Sequence, residues 1–255
     1  MKHTLQTILH LGLLLGVLAP PSLTAASLGV AAKAAHEQFV RDEALTISLY
    51  VKNFGESAFI IDDYGDYQKN KIEIFLRHTR DGFLTIRKGV PFGSAMVMPG
   101  EAETFSVDLQ KWFDNLKEGS YFVQIVVHRG EEKVATNLVK FDIVAGMEIG
   151  STTRPVSGND ALSRTYTLLY WPREQVEILF MRVTEPPNDR VVGMVRLGNV
   201  LRYEAPKIEF ESNGRLIVTH QTTRDILVRT TIRSTLSTLD IVKSERVFYK
   251  GPGRN

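Results

Sequence analysis

The stretch AFIIDDYGDYQKNKIEIF, residues 58–75, crowds three aspartates and two tyrosines between apolar runs. Carboxylates at close spacing can hold a cation, and exposed phenols can stack on a sugar or a partner protein. A calcium loop needs oxygen ligands in fixed alternation, a glycine at its sharp turn and a closing glutamate. Here Asp62, Asp63 and Asp66 stand at spacings of one and three, Gly65 precedes the last acid, and no glutamate follows until Glu73. That spacing does not fit a metal loop, and no metal or other cofactor is expected. The plain reading is a polar connection between two strands, turned by Gly65. Asp63, Tyr64, Asp66 and Tyr67 are kept as contact residues, because loops on a rigid scaffold often carry binding.

Three further side chains join them as binding candidates. Trp171, in YWPRE at a hairpin turn, either packs inward or stacks on a sugar or partner. Arg229 and Arg233 lie four apart on a strand pattern and share a face, with Arg224 facing away. That face is either solvated or meets an anionic partner such as a polysaccharide or lipid head groups. After residue 26 the chain holds four histidines, His36, His78, His128 and His220, no two of them close in sequence. There is no G-x-S-x-G elbow, H-E-x-x-H, phosphate-binding glycine loop or dinucleotide fingerprint. No enzymatic activity is expected. Paired carboxylates for glycoside hydrolysis are the one chemistry that no linear motif excludes, since any two strands can present them.

These residues must be positioned by strands. LTISLYVK, 45–52, alternates strictly, with Leu45, Ile47, Leu49 and Val51 on one face. Ile72, Ile74 and Leu76 share a face of a hairpin that turns at Arg80-Asp81-Gly82. PGEAETFSVDL opens on a Pro99-Gly100 turn and points Phe105, Val107 and Leu109 inward. SYFVQIVVH aligns Tyr121, Val123, Ile125 and Val127, and KVATNLVKFDIV follows across the tight RGEE turn. The only helical feature is a turn at 109–116, whose Trp112 caps the core. About seven short strands at this spacing predict a β-sandwich of the immunoglobulin kind. From 161 onward, hairpins turn at PRE, Gly198-Asn199 and Asn213-Gly214, predicting seven strands in a second antiparallel meander, a twisted sheet or small barrel. QVEILFMRV, within it, is nearly continuously apolar. Between the two halves, AGMEIGSTTRPVSGND has no apolar period and reads as a linker. The divisions are 27–148, a linker at 149–160, 161–250, and a tail at 251–255. Residues 27–150 carry 14 Lys+Arg against 18 Asp+Glu, and 151–255 carry 16 against 11, so a contact between oppositely charged halves is possible.

One local motif sharpens the fold. NLKEGSYFVQIVV sets Leu116, Gly119 and Tyr121 at the start of the penultimate strand and resembles the tyrosine corner of immunoglobulin-like sandwiches. With VKNFGES and MPGEAETF, residues 40–144 resemble bacterial immunoglobulin-like modules, including those related to the intracellular proteinase inhibitor of bacilli. The resemblance implies a fold, and its inhibitor members imply an envelope protease inhibitor as an alternative function. Two sandwich-like domains are also similar to pilus-assembly chaperones, which would assign NLVKFDIV, with Val139, Phe141 and Ile143 on one face, as the client-completing strand.

The first 26 residues have a lysine start, an apolar run from Leu5 to Leu18, Pro20-Pro21 and small residues at Thr24 and Ala26, the pattern of a cleaved secretory signal. Cysteine is absent, which closes disulfides, thiolate metal sites and a lipid-anchored exit. The reading is an exported all-β protein, periplasmic or secreted, with no transmembrane span after cleavage and no nucleic-acid partner. Its expected role is non-enzymatic docking to an envelope protein or surface glycan. A small hydrolase or periplasmic chaperone-like protein is the alternative, beside the inhibitor.

Overall fold

The computed structural model describes residues 26–61, 70–82, 84–89, 93–113, 116–156, 159–211, 214–235 and 237–248. The described chain is almost entirely antiparallel β. Its first half holds β1 (Leu28–Ala34), β2 (Gln38–Val40), β3 (Thr46–Asn53), β4 (Phe59–Ile61), β5 (Asn70–His78), β6 (Leu84–Gly89), β7 (Ala95–Val97), β8 (Ala102–Asp108), β9 (Gly119–Arg129), β10 (Glu132–Ala135) and β11 (Val139–Val144). One sheet runs β1-β3-β8; the facing sheet runs β2-β11-β9-β5-β6, with β10 beside β9 and a small β4-β7 pair apart. The chain changes sheets between β1, antiparallel to β3, and β2, parallel to β11.

The alternating faces of the strands make the core. Leu45, Ile47, Leu49 and Val51 from one sheet meet Ile72, Ile74, Leu76, Tyr121, Val123, Ile125 and Val127 from the other, all buried. Tyr121 forms the expected corner: its hydroxyl donates to the Lys117 carbonyl at 2.8 Å. Leu109–Lys111 make one 3₁₀ turn, and Trp112 packs on the core edge. Val139, Phe141 and Ile143 are spent in this core, so β11 does not offer them to a client as expected. The stretch 62–69, with Asp63, Tyr64, Asp66 and Tyr67, lies outside the described residues.

The second half holds β12 (Met147–Val156), β13 (Asn159–Arg173), β14 (Val176–Glu185), β15 (Arg190–Asn199), β16 (Lys207–Phe210), β17 (Leu216–Thr223), β18 (Ile226–Ser234) and β19 (Leu239–Phe248). The antiparallel meander is present and takes the form of two four-stranded sheets, β12-β13-β14-β15 and β16-β17-β18-β19. Tyr166, Leu168, Leu179, Met181 and Val183 from the first pack on Leu216, Val218 and Ile232 from the second. Two expectations are corrected. The linker stretch is not a free connection: Met147–Val156 is an edge strand paired with β13, and its exposure on both faces removes any apolar period. Gly198 does not turn the chain. It sits inside β15 at φ 117, beside a register shift between Leu179 and Phe180, and the reversal comes at Arg202–Tyr203.

The apolar run in β14 has a specific cause. Leu179, Met181 and Val183 face the second core, while Ile178 and Phe180 point the other way and are equally buried. A strand with both faces covered needs no polar alternation. What covers the outer face is the first sandwich.

Candidate binding site at the domain joint

The joint is built from alternate residues of β13 and β14 against the end of β2 and the turn after it. Val40 is fully buried in a cluster with Leu169, Ile178 and Phe180, edged by Val144, Trp171 and Met194. Around this apolar centre stand two ion pairs. Arg173 grips Glu43 with two parallel hydrogen bonds, 2.9 and 2.7 Å, and donates to the Gln38 carbonyl at 3.0 Å. Arg182 lies 3.6 Å from Asp42, beyond hydrogen-bond length. Acids of the first half meet arginines of the second, the sense that the charge asymmetry allows. The link between the halves is Ala145-Gly146. A Cβ on Gly146 would sit 2.9 Å from Val40 Cγ1 and 3.6 Å from Leu169, and its φ is 76°.

Beside the joint lies a cleft of about 670 Å³. Three segments far apart in sequence form it: the β1–β2 crossover, Ala32–Gln38; the start of β11, Asn137–Lys140; and the second-half turn, Pro172–Glu174. Two strand edges reach it. β11 pairs with β2 only from Asp142 to Val144, so its first half is laddered to β9 alone. β1 pairs with β3 and runs beside β11 without a ladder between them. In place of a strand, the Asn137 side chain bridges the gap, accepting from the Ala32 amide at 2.9 Å and donating to its carbonyl at 3.0 Å. Lys33, Lys140, Glu37 and Glu174 give the lining mixed charge, and Leu138 projects from it 58% exposed. Burial lowers the pKa of His36, with the Arg173 charge adding to the effect.

The site residues expected from sequence fall in different places. Trp171 is no exposed platform: it belongs to the joint, where its indole N–H donates to Gln38 Oε1 at 3.1 Å. Arg229 and Arg233 do share the outward face of β18, whereas Arg224 lies in the turn before that strand. Arg229 comes opposite Glu245 on β19, and Arg233 lies 3.9 Å from Asp240. These residues do not converge with Trp171. Sequence reasoning missed Ala32–Gln38 and Glu43; it named NLVKFDIV, 137–144, as a binding strand, and the double-faced apolar run of β14 and the opposite charges of the two halves were the signals pointing to a joint. Among the described residues no three His, Asp or Glu side chains form a metal cluster, and no helix is long and apolar enough to cross a membrane.

No family model and no curated protein matches the chain. Among solved structures, it is similar to the Pseudomonas fluorescens alkylpurine DNA glycosylase AlkC bound to DNA containing an abasic site analog. The identity is 10% and the TM-score 0.33, over 47% of this chain and 31% of that one. It is also similar to the sporulation control protein Spo0M from Bacillus subtilis, at 10% identity and TM-score 0.28 over 88% and 90%. A third is the periplasmic chaperone SfaE, at 13% identity and TM-score 0.24 over 86% and 98%. The chain spans less than a third of the glycosylase, and likenesses at these scores carry no argument about fold or function.

Proposed function

We propose that the chain is an exported, non-enzymatic binding protein of the bacterial envelope that holds an extended segment of another envelope protein in the cleft at its domain joint. One observation supports this reading. The edge of β1 and the first half of β11 face the cleft without a ladder between them, with only the Asn137 side chain spanning the gap. Open strand edges accept an extended chain through main-chain hydrogen bonds, and neighbouring side chains then select it. Here the selecting groups are Leu138, Lys33 and Lys140. The ion pair and apolar cluster of the joint keep the cleft walls in place, so little ordering cost falls on binding.

The test is a quantitative pull-down from envelope extract with three baits: the chain from residue 27, the same chain carrying Leu138→Glu and Lys140→Glu, and a control carrying Lys243→Glu far from the cleft. A protein held by the first and third baits and lost from the second supports the reading. Identical captures by all three contradict it.

A further inference from the structure

A second cleft, independent of the joint, opens at one set of strand ends of the second half, with strands of both its sheets on the rim. It measures about 470 Å³ and is lined by four arginines, Arg154, Arg164, Arg215 and Arg233, against one carboxylate, Glu211. Its floor is aromatic: Phe210 meets Tyr166 edge-on, with ring centroids 5.2 Å apart. Arg154 on β12 is directly across from Arg164 on β13. Like charges set directly across a sheet destabilise it, and Arg164 is relieved of that cost by its ion pair with Glu185. On the other sheet Arg233 lies 3.9 Å from Asp240.

Arg154 and Arg164 have different duties. Arg164 is fully buried and satisfied within the protein. It donates to Glu185 at 3.0 and 2.8 Å, to Ser234 Oγ at 2.8 Å and to the Thr235 carbonyl at 2.5 Å. Arg190 is the second partner of Glu185. Arg154, in contrast, is exposed and forms no ion pair among the described residues. Its guanidinium lies over the Phe210 ring, 5.0 Å from the centroid. Stacking fixes a planar guanidinium and leaves its N–H fork available, the geometry that matches a carboxylate or phosphate bidentately.

We propose that this cleft binds a small ligand through an oxyanion, a phosphate or carboxylate carried on a sugar-sized ring. Arg154 and Arg233 grip the charged group, and Pro155, Val156 and Phe210 take the apolar face of the ring. The volume falls in the range of small-molecule sites. A point charge would have been served by lysine; fixed, stacked arginine favours planar oxyanion recognition.

The experiment is calorimetric titration of the chain from residue 27 with glucose 6-phosphate, glucuronate, inorganic phosphate and, as the neutral control, glucose. At least one of the two charged sugars is expected to bind in the submillimolar range, with glucose silent. Loss of a charge-assisted hydrogen bond in Arg154→Gln is expected to weaken that binding at least about tenfold. Arg229→Gln, on the outward face of β18 and outside the cleft, is expected to leave it unchanged. Phosphate alone binding as tightly as the phosphorylated sugar supports the arginine grip and assigns the oxyanion as the whole determinant. Equal weakening by Arg154→Gln and Arg229→Gln would reduce the effect to general charge and overturn the proposal, as would no binding of any anion up to about 10 mM.

Discussion

His220 makes the second half acid-sensitive in a pH window of its own. It lies on β17, facing the core between the sheets, and is 1% exposed. Neither ring nitrogen makes a hydrogen bond of normal geometry. Burial lowers its pKa from 6.5 to about 4, and the Asn199 backbone offsets only part of that effect. The sign follows from proton uptake. Below the unfolded value the unfolded chain binds a proton that the folded core refuses, so stability is lost as pH falls from 6.5 towards 4. A displacement of about 2.5 units, at about 1.4 kcal/mol each, amounts to roughly 3 kcal/mol. His220→Leu removes the titrating group and leaves no buried nitrogen unpaired, so the variant is expected to match or exceed the parent's stability at neutral pH. The assay is urea unfolding between about pH 7 and pH 4.5, followed by tryptophan fluorescence, with Trp112 in the first half and Trp171 reporting the second. The parent should lose most of the roughly 3 kcal/mol across this range while His220→Leu loses little of it. Equal pH slopes in the two proteins would refute the reasoning.

Other perturbations address the joint and the buried ions. Glu43→Gln leaves Arg173 without its carboxylate, and breaking a largely buried pair is expected to cost about 3–5 kcal/mol, read as a lower urea midpoint with a red shift of Trp171 emission. Gly146→Ala places a methyl against Val40 at a positive φ; about 1–2 kcal/mol of backbone cost alone is expected, measured by thermal unfolding. Hydrogen bonds from Arg164, then from Arg190, hold Glu185 below the usual carboxylate range. Its contribution is therefore present above about pH 4.5 and lost below it. The His220→Leu variant should retain this lower acid loss, and Glu185→Gln should make it smaller.

The strands with one buried face could be read directly. Leu45, Ile47, Leu49 and Val51 alternate because water lies on one side and a core on the other, and Tyr121 announces its corner through local spacing alone. Strands exposed on both faces carry no such period. β12 looked like a linker because its Gly, Ser and Thr residues meet solvent on either side, and β2 is three residues long, too short for any pattern. Gly198 has the local chemistry of a turn but serves a bulge, a choice made by the register of β14 across from it. The joint was half-written: the unbroken apolar run in β14 states that both faces are covered, but what covers them depends on Val40, well over a hundred residues earlier. The cleft could be read only in pieces. NLVKFDIV and YWPRE stood out singly, Ala32–Gln38 carried no signal, and only tertiary packing brings the three together.

The most direct test of the docking role places a photo-crosslinking amino acid at Leu138, which projects from the joint cleft, and separately at Tyr203, 80% exposed and outside it. The account expects irradiation of living cells to yield a discrete envelope-protein adduct from position 138 and none from 203. No adduct from 138, or the same adduct from both positions, would contradict the assignment of the cleft as the binding site.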